Sequence, residues 1–318
     1  MMVKQPLKFM FHKQKDTFDM SQADTSYKNI LNHVLSVGEL RTTRTGDVIS
    51  AFAPPQFRFD MRTGFPLLTS KQVFTRQVIG EALWFLNGEN KLGELRYRTW
   101  GENDGERWTI WSDDFKRWLS SNYSSEQDWL EDAGGRIYGV QWRNFEGHNG
   151  CVVDQLETLV TKMKGDITDR YMLVNAWNAA DIAANSMALA PCHVLFQIYI
   201  TNEGEVDLQW YQRSVDTFLG LPFNIASYGF ILEVLCKMTG YTPRYLIGVF
   251  GDTQIYQNHM KQVYELMNNE EFHAPTFEIG VQLNTLSDLK HLTASDFIGG
   301  INNYQHAGKI EAPLSVGK

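Results

Sequence analysis

The sequence is short of cysteine, of positive charge and of long hydrophobic runs. Cys151, Cys192 and Cys236 are an odd number scattered over 318 residues, so no disulfide framework is implied and a reducing compartment is expected. No stretch reaches the roughly eighteen apolar residues of a membrane helix. The mildly basic start MMVKQPLKFMFHKQKD lacks the apolar core of a signal peptide, and a soluble, cytoplasmic protein without a membrane partner is expected. Lysine plus arginine number 29 against 37 acidic residues, a net charge of -8, which argues against a broad surface tracking nucleic-acid phosphates. The eight histidines never pair at i, i+2 or i, i+4, and no two cysteines lie close together, so no metal site is expected. A P-loop and a G-x-G-x-x-G motif are also absent.

With 43% hydrophobic and 21% charged residues, the chain is a folded globular protein long enough to bury a large core. Residues 1–23 are polar and without periodicity and read as an extension outside the fold; residues 24–318 read as one domain. Asp24-Thr25-Ser26 is the expected cap of a helix with Tyr27, Ile30, Leu31, Val34 and Leu35 on one face, ending at Gly38. Val78, Ile79, Ala82, Leu83 and Leu86 recur at helical spacing, with Glu81 in their midst. Residues 91–135 hold five tryptophans (Trp100, Trp108, Trp111, Trp118, Trp129) and read as an insertion with its own small aromatic core. A helix with Leu156, Leu159, Val160 and Met163 follows, then a strand from Met172 to Trp177. Val194–Ile200 and Val206–Arg213 form an expected hairpin around Thr201-Asn202-Glu203-Gly204-Glu205, before a long apolar helix, Ile225–Met238, closed by Gly240. This order fits an α+β, mixed α/β class better than a doubly wound sheet.

Cys192 differs from the other two cysteines. It follows Ala190-Pro191 at the entrance to a strand, where a thiol can face a cleft, whereas Cys151 and Cys236 sit beside or within apolar helical segments. Sulfur attacks as thiolate and needs a nearby positive charge; Arg213 in Gln212-Arg213-Ser214 is the candidate.

Residues 187–193, MALAPCH, and 211–228, YQRSVDTFLGLPFNIASY, resemble the signature of the thymidylate synthase family. Further matching blocks are Arg44-Thr45-Gly46, GFPLLTSK (64–71), EALWFLNG (81–88), TIW (109–111), RIYGVQWR (136–143), VNAWN (174–178), GDTQIYQNH (251–259) and EAPLSV near the end. The resemblance implies a three-layer fold with a mixed sheet flanked by helices, and a homodimer packed sheet to sheet with each site completed by the partner. It implies reductive methylation of dUMP to dTMP, with 5,10-methylenetetrahydrofolate as cosubstrate. On the matching positions, Cys192 resembles the nucleophile that adds to C6 of the pyrimidine, and Glu81, Tyr138 and Asn178 resemble the groups that organise water and proton transfers. Arg44, Arg213 and Ser214 would hold the nucleotide phosphate, with Arg170 reaching the partner's site. Gln212, Asn224 and Tyr256 complete the nucleotide pocket, Asn224 on the pyrimidine edge and Tyr256 on the ribose hydroxyl. Ile110, Trp111, Leu189, Asp216, Gly220 and Phe223 match the folate pocket, and Lys71 the contact to its glutamate tail.

Several positions depart from the family pattern. Tyr171 stands where a second phosphate-binding arginine is usual, and Gln254 where a histidine is. Ser112-Asp113-Asp114 replaces a stretch that carries a second tryptophan, His306-Ala307-Gly308 lacks a usual proline, and Gly317-Lys318 follows the apolar end of the lid. These departures suit a looser lid that admits water. The alternative implied is a folate-dependent dUMP 5-hydroxymethylase, in which water traps the same intermediate.

Overall fold

The computed structural model describes residues 21–105, 107–122 and 133–314. Residues 1–20, Trp129 and Ser315 to Lys318 lie outside the described residues. The helices are α1 (Gln22–Val37), α2 (Thr75–Leu86), α3 (Leu92–Trp100), α4 (Ser112–Asn122), α5 (Tyr138–Arg143), α6 (Gln155–Lys164), α7 (Ala179–Ala183), α8 (Gly220–Thr239), α9 (Met260–Asn268) and α10 (Ser295–Ile298). The strands are β1 (Glu39–Thr43), β2 (Gly46–Phe52), β3 (Phe57–Asp60), β4 (Phe145–Glu146), β5 (Val152–Val153), β6 (Leu173–Asn175), β7 (His193–Ile200), β8 (Glu205–Asp216), β9 (Thr242–Tyr256), β10 (Thr276–Phe277) and β11 (Ile301–Asn302).

One sheet organises the chain, in the order β1-β2-β9-β8-β7-β6, with β3 also pairing β9. Only the β8–β9 pair is parallel; its other pairings are antiparallel. A parallel pair needs a crossover, and α8 supplies it. On β7 the pleat alternates: Phe196, Ile198 and Ile200 are buried while Gln197 and Tyr199 are exposed. The buried face meets α8, where Trp210 stacks on Tyr228 with ring centroids 4.9 Å apart. Along α8 most residues are buried, so the helix is apolar nearly all round and ends at Gly240 in the left-handed region at φ 77°.

The expected elements are present, with three differences. α1 is capped by Ser21, whose hydroxyl accepts from Asp24 N–H at 3.2 Å, and Ala23 belongs to the core, so residues 21–23 are part of the folded chain. Asp24 is buried in the helix, where its carboxylate accepts from the backbone and hydroxyls of Thr69 and Ser70. α8 starts at Gly220, five residues before its apolar run, because Asp216 closes the preceding turn. The Trp-rich segment has no separate core at Trp111: that ring packs on Trp84, Phe85, Phe115 and Tyr138 in the main one.

Candidate active site

The bonds around Cys192 follow from the β7–β8 hairpin. Its register pairs His193 with Gln212, which places Arg213 beside the residue that enters β7. Arg213 N–H donates to Cys192 O at 2.9 Å. The guanidinium is fixed by Pro191 O at 2.8 Å and Ala190 O at 3.0 Å, and its Nη2 lies 4.0 Å from Cys192 Sγ. The indole of Trp177 lies 5.2 Å from its carbon. Cys192 N–H donates to the Tyr138 hydroxyl at 2.6 Å, tying the Cys192 backbone to α5. Burial pushes the thiol above its ordinary range; Arg213 and Tyr138 pull it back in part, and Asp114 adds to the rise. The free chain therefore holds Cys192 mainly as thiol at neutral pH.

The Tyr138 ring lies between Phe85, Trp111 and His193. Burial also drives its hydroxyl well above the ordinary tyrosine range. Glu81, in the apolar middle of α2, accepts from Trp111 Nε1 at 2.6 Å. Burial raises this carboxyl to about 7, against the smaller opposing effect of the indole N–H. A proton can therefore be gained or lost there near neutral pH.

A chain of amides reaches Asn224. Trp210 Nε1, which only donates, points at Gln212 Oε1 at 3.4 Å. Gln212 Nε2 in turn donates to Asn224 Oδ1 at 3.0 Å and to Ser214 O at 3.1 Å. This order assigns the Asn224 amide: oxygen toward Gln212, nitrogen on the other side. His193 is buried beside it, and loss of hydration lowers its imidazole to about 4, so the ring is neutral.

Arg44 sits in the turn between β1 and β2, where Thr45 Oγ1 lies 3.1 Å from the Tyr256 hydroxyl. Arg44, Arg213 and Leu189 line a cavity of about 410 Å3, together with Asp114 and Arg117 from α4. Glu81, Asn224 and Asp216 lie outside its lining. Asp216 accepts from Phe218 N–H and Leu219 N–H at 3.0 and 3.1 Å, and burial raises its carboxyl. Gly220 begins α8 beside it, Phe223 is half-buried, Trp111 is buried and Ile110 is exposed.

Among the other expected site residues, Lys71 and Asn178 bond within this chain and Arg170 is exposed. Lys71 is buried, donates to Phe218 O at 2.8 Å and lies 3.9 Å from the Phe218 ring; burial lowers its ammonium to about 8. Asn178 caps α7 and donates to Glu146 O at 3.1 Å rather than hydrogen-bonding Tyr138 or Glu81. Arg170 is exposed on the segment leading to the edge strand β6, next to the exposed ring of Tyr171. Gln254 donates to Asp252 at 3.0 Å.

Residues 304–308 are strapped over the 68–74 segment. Tyr304 OH donates to Leu68 O, Ala307 N–H to Thr69 O and Gln72 N–H to Gly308 O, each at 2.8 Å. His259, fully buried, bonds Pro313 O through Nε2 at 2.7 Å. Backbone bonds at Ala307 and Gly308 thus hold the stretch that lacks a proline. Arg117 carried no sequence signal of a role; Asp114 stood out only as a departure from the family pattern and His259 only as the end of a matching block.

The thymidylate synthase family model matches residues 25–316. A protein of Escherichia phage T5 described as a probable thymidylate synthase is 42% identical over 272 residues, covering 85% of this chain and 92% of the phage protein. No described helix is long and apolar enough to cross a membrane, and no cluster among the described residues could hold a metal ion. With the Cys192–Arg213 contact at its centre and the match running over most of its length, the chain belongs to the thymidylate synthase family, enzymes that transfer a one-carbon unit from methylenetetrahydrofolate.

Proposed function

We propose that this protein converts dUMP to dTMP through a covalent adduct on Cys192. The observation that supports this most is the placement of Cys192 Sγ 4.0 Å from a guanidinium that two backbone carbonyls hold in place. C5 of uracil is too weak a nucleophile to react unaided. When Cys192 gives up its proton and sulfur adds to C6, the electron pair moves into the C4 carbonyl as an enolate and C5 becomes nucleophilic. Arg213 favours the thiolate at the start and when sulfur leaves at the end. Glu81, with its carboxyl at about 7, exchanges the proton at O4 as the enolate forms and collapses. Methylenetetrahydrofolate supplies the carbon and then a hydride. Removal of the C5 proton and cleavage of the C6–S bond restore the ring double bond and free Cys192.

Asn224 reads the base. Its oriented amide presents nitrogen to O4 and a remaining oxygen lone pair to N3–H, the pattern of uracil; cytosine offers the opposite donors and acceptors. The exposed apolar side chains of Leu40, Phe52, Leu173 and Tyr199 on strands of the main sheet support a sheet-to-sheet homodimer, in which Arg170 would reach the partner's phosphate. One observation favours a second outcome, hydroxymethyl-dUMP formed when water traps the methylene intermediate: Asp114 is a carboxylate where the family pattern has a second tryptophan.

Exchange of the C5 hydrogen of dUMP with solvent tests the covalent step. The wild type should wash deuterium out of C5-labelled dUMP and Cys192→Ala should not; equal exchange by both would remove the nucleophile from the mechanism.

A further inference from the structure

Helix α4 brings a third guanidinium to the cavity lined by Arg44 and Arg213. Arg117 lies one turn after Asp114, and its Nη1 donates to that carboxylate at 2.9 Å. Both side chains line the cavity. Among the described residues its charged lining is three guanidiniums against one carboxylate, a net charge of plus two in a chain whose total is -8. A phosphate monoester carries nearly two negative charges at neutral pH, its second ionisation falling near pH 6, at about 6. The charge of these side chains thus suits such a group. α4 is also tied across the cavity: Trp118 Nε1 donates to Asn185 O at 3.4 Å, and both residues line it. Leu189 and Ala190, on the segment leading to Cys192, line the same cavity as Arg117.

We propose that Arg117 binds the nucleotide phosphate, delivered in cis from α4 where Tyr171 leaves one basic contact missing. This rests on dUMP occupying the cleft, and adds to it a residue outside the family signature. Asp114 holds the guanidinium through Nη1, and the Nε and Nη2 edge has no hydrogen-bond partner among the described residues. A forked edge of this kind suits two phosphate oxygens.

Steady-state kinetics with dUMP, using inorganic phosphate as competitor, tests the proposal in the full chain. Arg117→Ala should raise KM for dUMP about tenfold with little change in kcat, and weaken inhibition by inorganic phosphate by a similar factor. Arg117→Lys should recover part of both, and KM for the folate should stay unchanged. A merely structural role of Arg117 would not move phosphate inhibition and dUMP KM together while sparing the folate. Should Arg117→Ala fail to fold, Arg117→Gln decides: it should weaken inhibition by inorganic phosphate, and an unchanged inhibition constant overturns the proposal. A folded Arg117→Ala with unchanged dUMP KM and phosphate inhibition overturns it, as does a loss confined to the folate. If the wild type neither binds nor turns over dUMP, the functional reading fails and this inference with it.

Discussion

Glu81 is expected to cost the folded chain stability at the pH where it is most useful. Its carboxyl titrates at about 7 in the fold against an ordinary value of 4.5, because burial disfavours the charged form. Below pH 4.5 the group is protonated in both states and contributes no pH dependence. Between 4.5 and 7 the unfolded chain has lost the proton while the folded chain keeps it, so stability falls as pH rises; above 7 the full penalty is present. The difference between these two values corresponds to roughly 3 kcal/mol. Glu81→Gln removes the ionisation and keeps an oxygen to accept from Trp111 Nε1. Urea unfolding at fixed protein concentration should therefore show Glu81→Gln more stable than wild type by about 2–3 kcal/mol at pH 8, with the gain vanishing near pH 4.5. The same variant should lose on the order of 10³-fold in kcat, since an amide cannot exchange the O4 proton. Equal stability of the two proteins at pH 8, or a difference independent of pH, would refute the assignment of Glu81 as a carboxyl held against its charge by burial.

Two further outcomes follow from single contacts. Asn224→Asp should shift preference from dUMP toward dCMP by about tenfold or more in kcat/KM, because a protonated carboxyl or carboxylate no longer offers an amide nitrogen to O4; competition assays with both nucleotides measure it, and retained dUMP preference would detach base reading from this residue. Gly80→Ala should destabilise the chain by about 3 kcal/mol in urea titrations, because an added Cβ would overlap Thr99 Oγ1 and meet Thr99 Cα at 2.7 Å where α2 crosses α3; wild-type stability would mean that the two helices separate freely.

Periodicity made the helices and the hairpin legible, because their apolar faces are local properties of the sequence. Cys192 and Arg213 were legible together through their motif, and β7–β8 pairing explains why residues 21 apart touch. What local pattern does not carry is the direction of a polar side chain. Lys71 turns inward to Phe218 O, Asn178 is spent as a helix cap, and Asp24, expected at a cap, is buried under Thr69 and Ser70. The orientation of Asn224 depends on Trp210, fourteen residues away in sequence and on another element. Asp114 and Arg117 read as an ordinary i, i+3 surface pair until α4 is laid against the segment before Cys192.

The central claim is that hydride, not water, completes the one-carbon unit attached at C5. Incubation of the wild type with dUMP and 5,10-methylenetetrahydrofolate, following dihydrofolate by absorbance and the nucleotide by mass, measures this directly. dTMP and dihydrofolate in equal amounts are expected; hydroxymethyl-dUMP formed without dihydrofolate would contradict the proposed reaction.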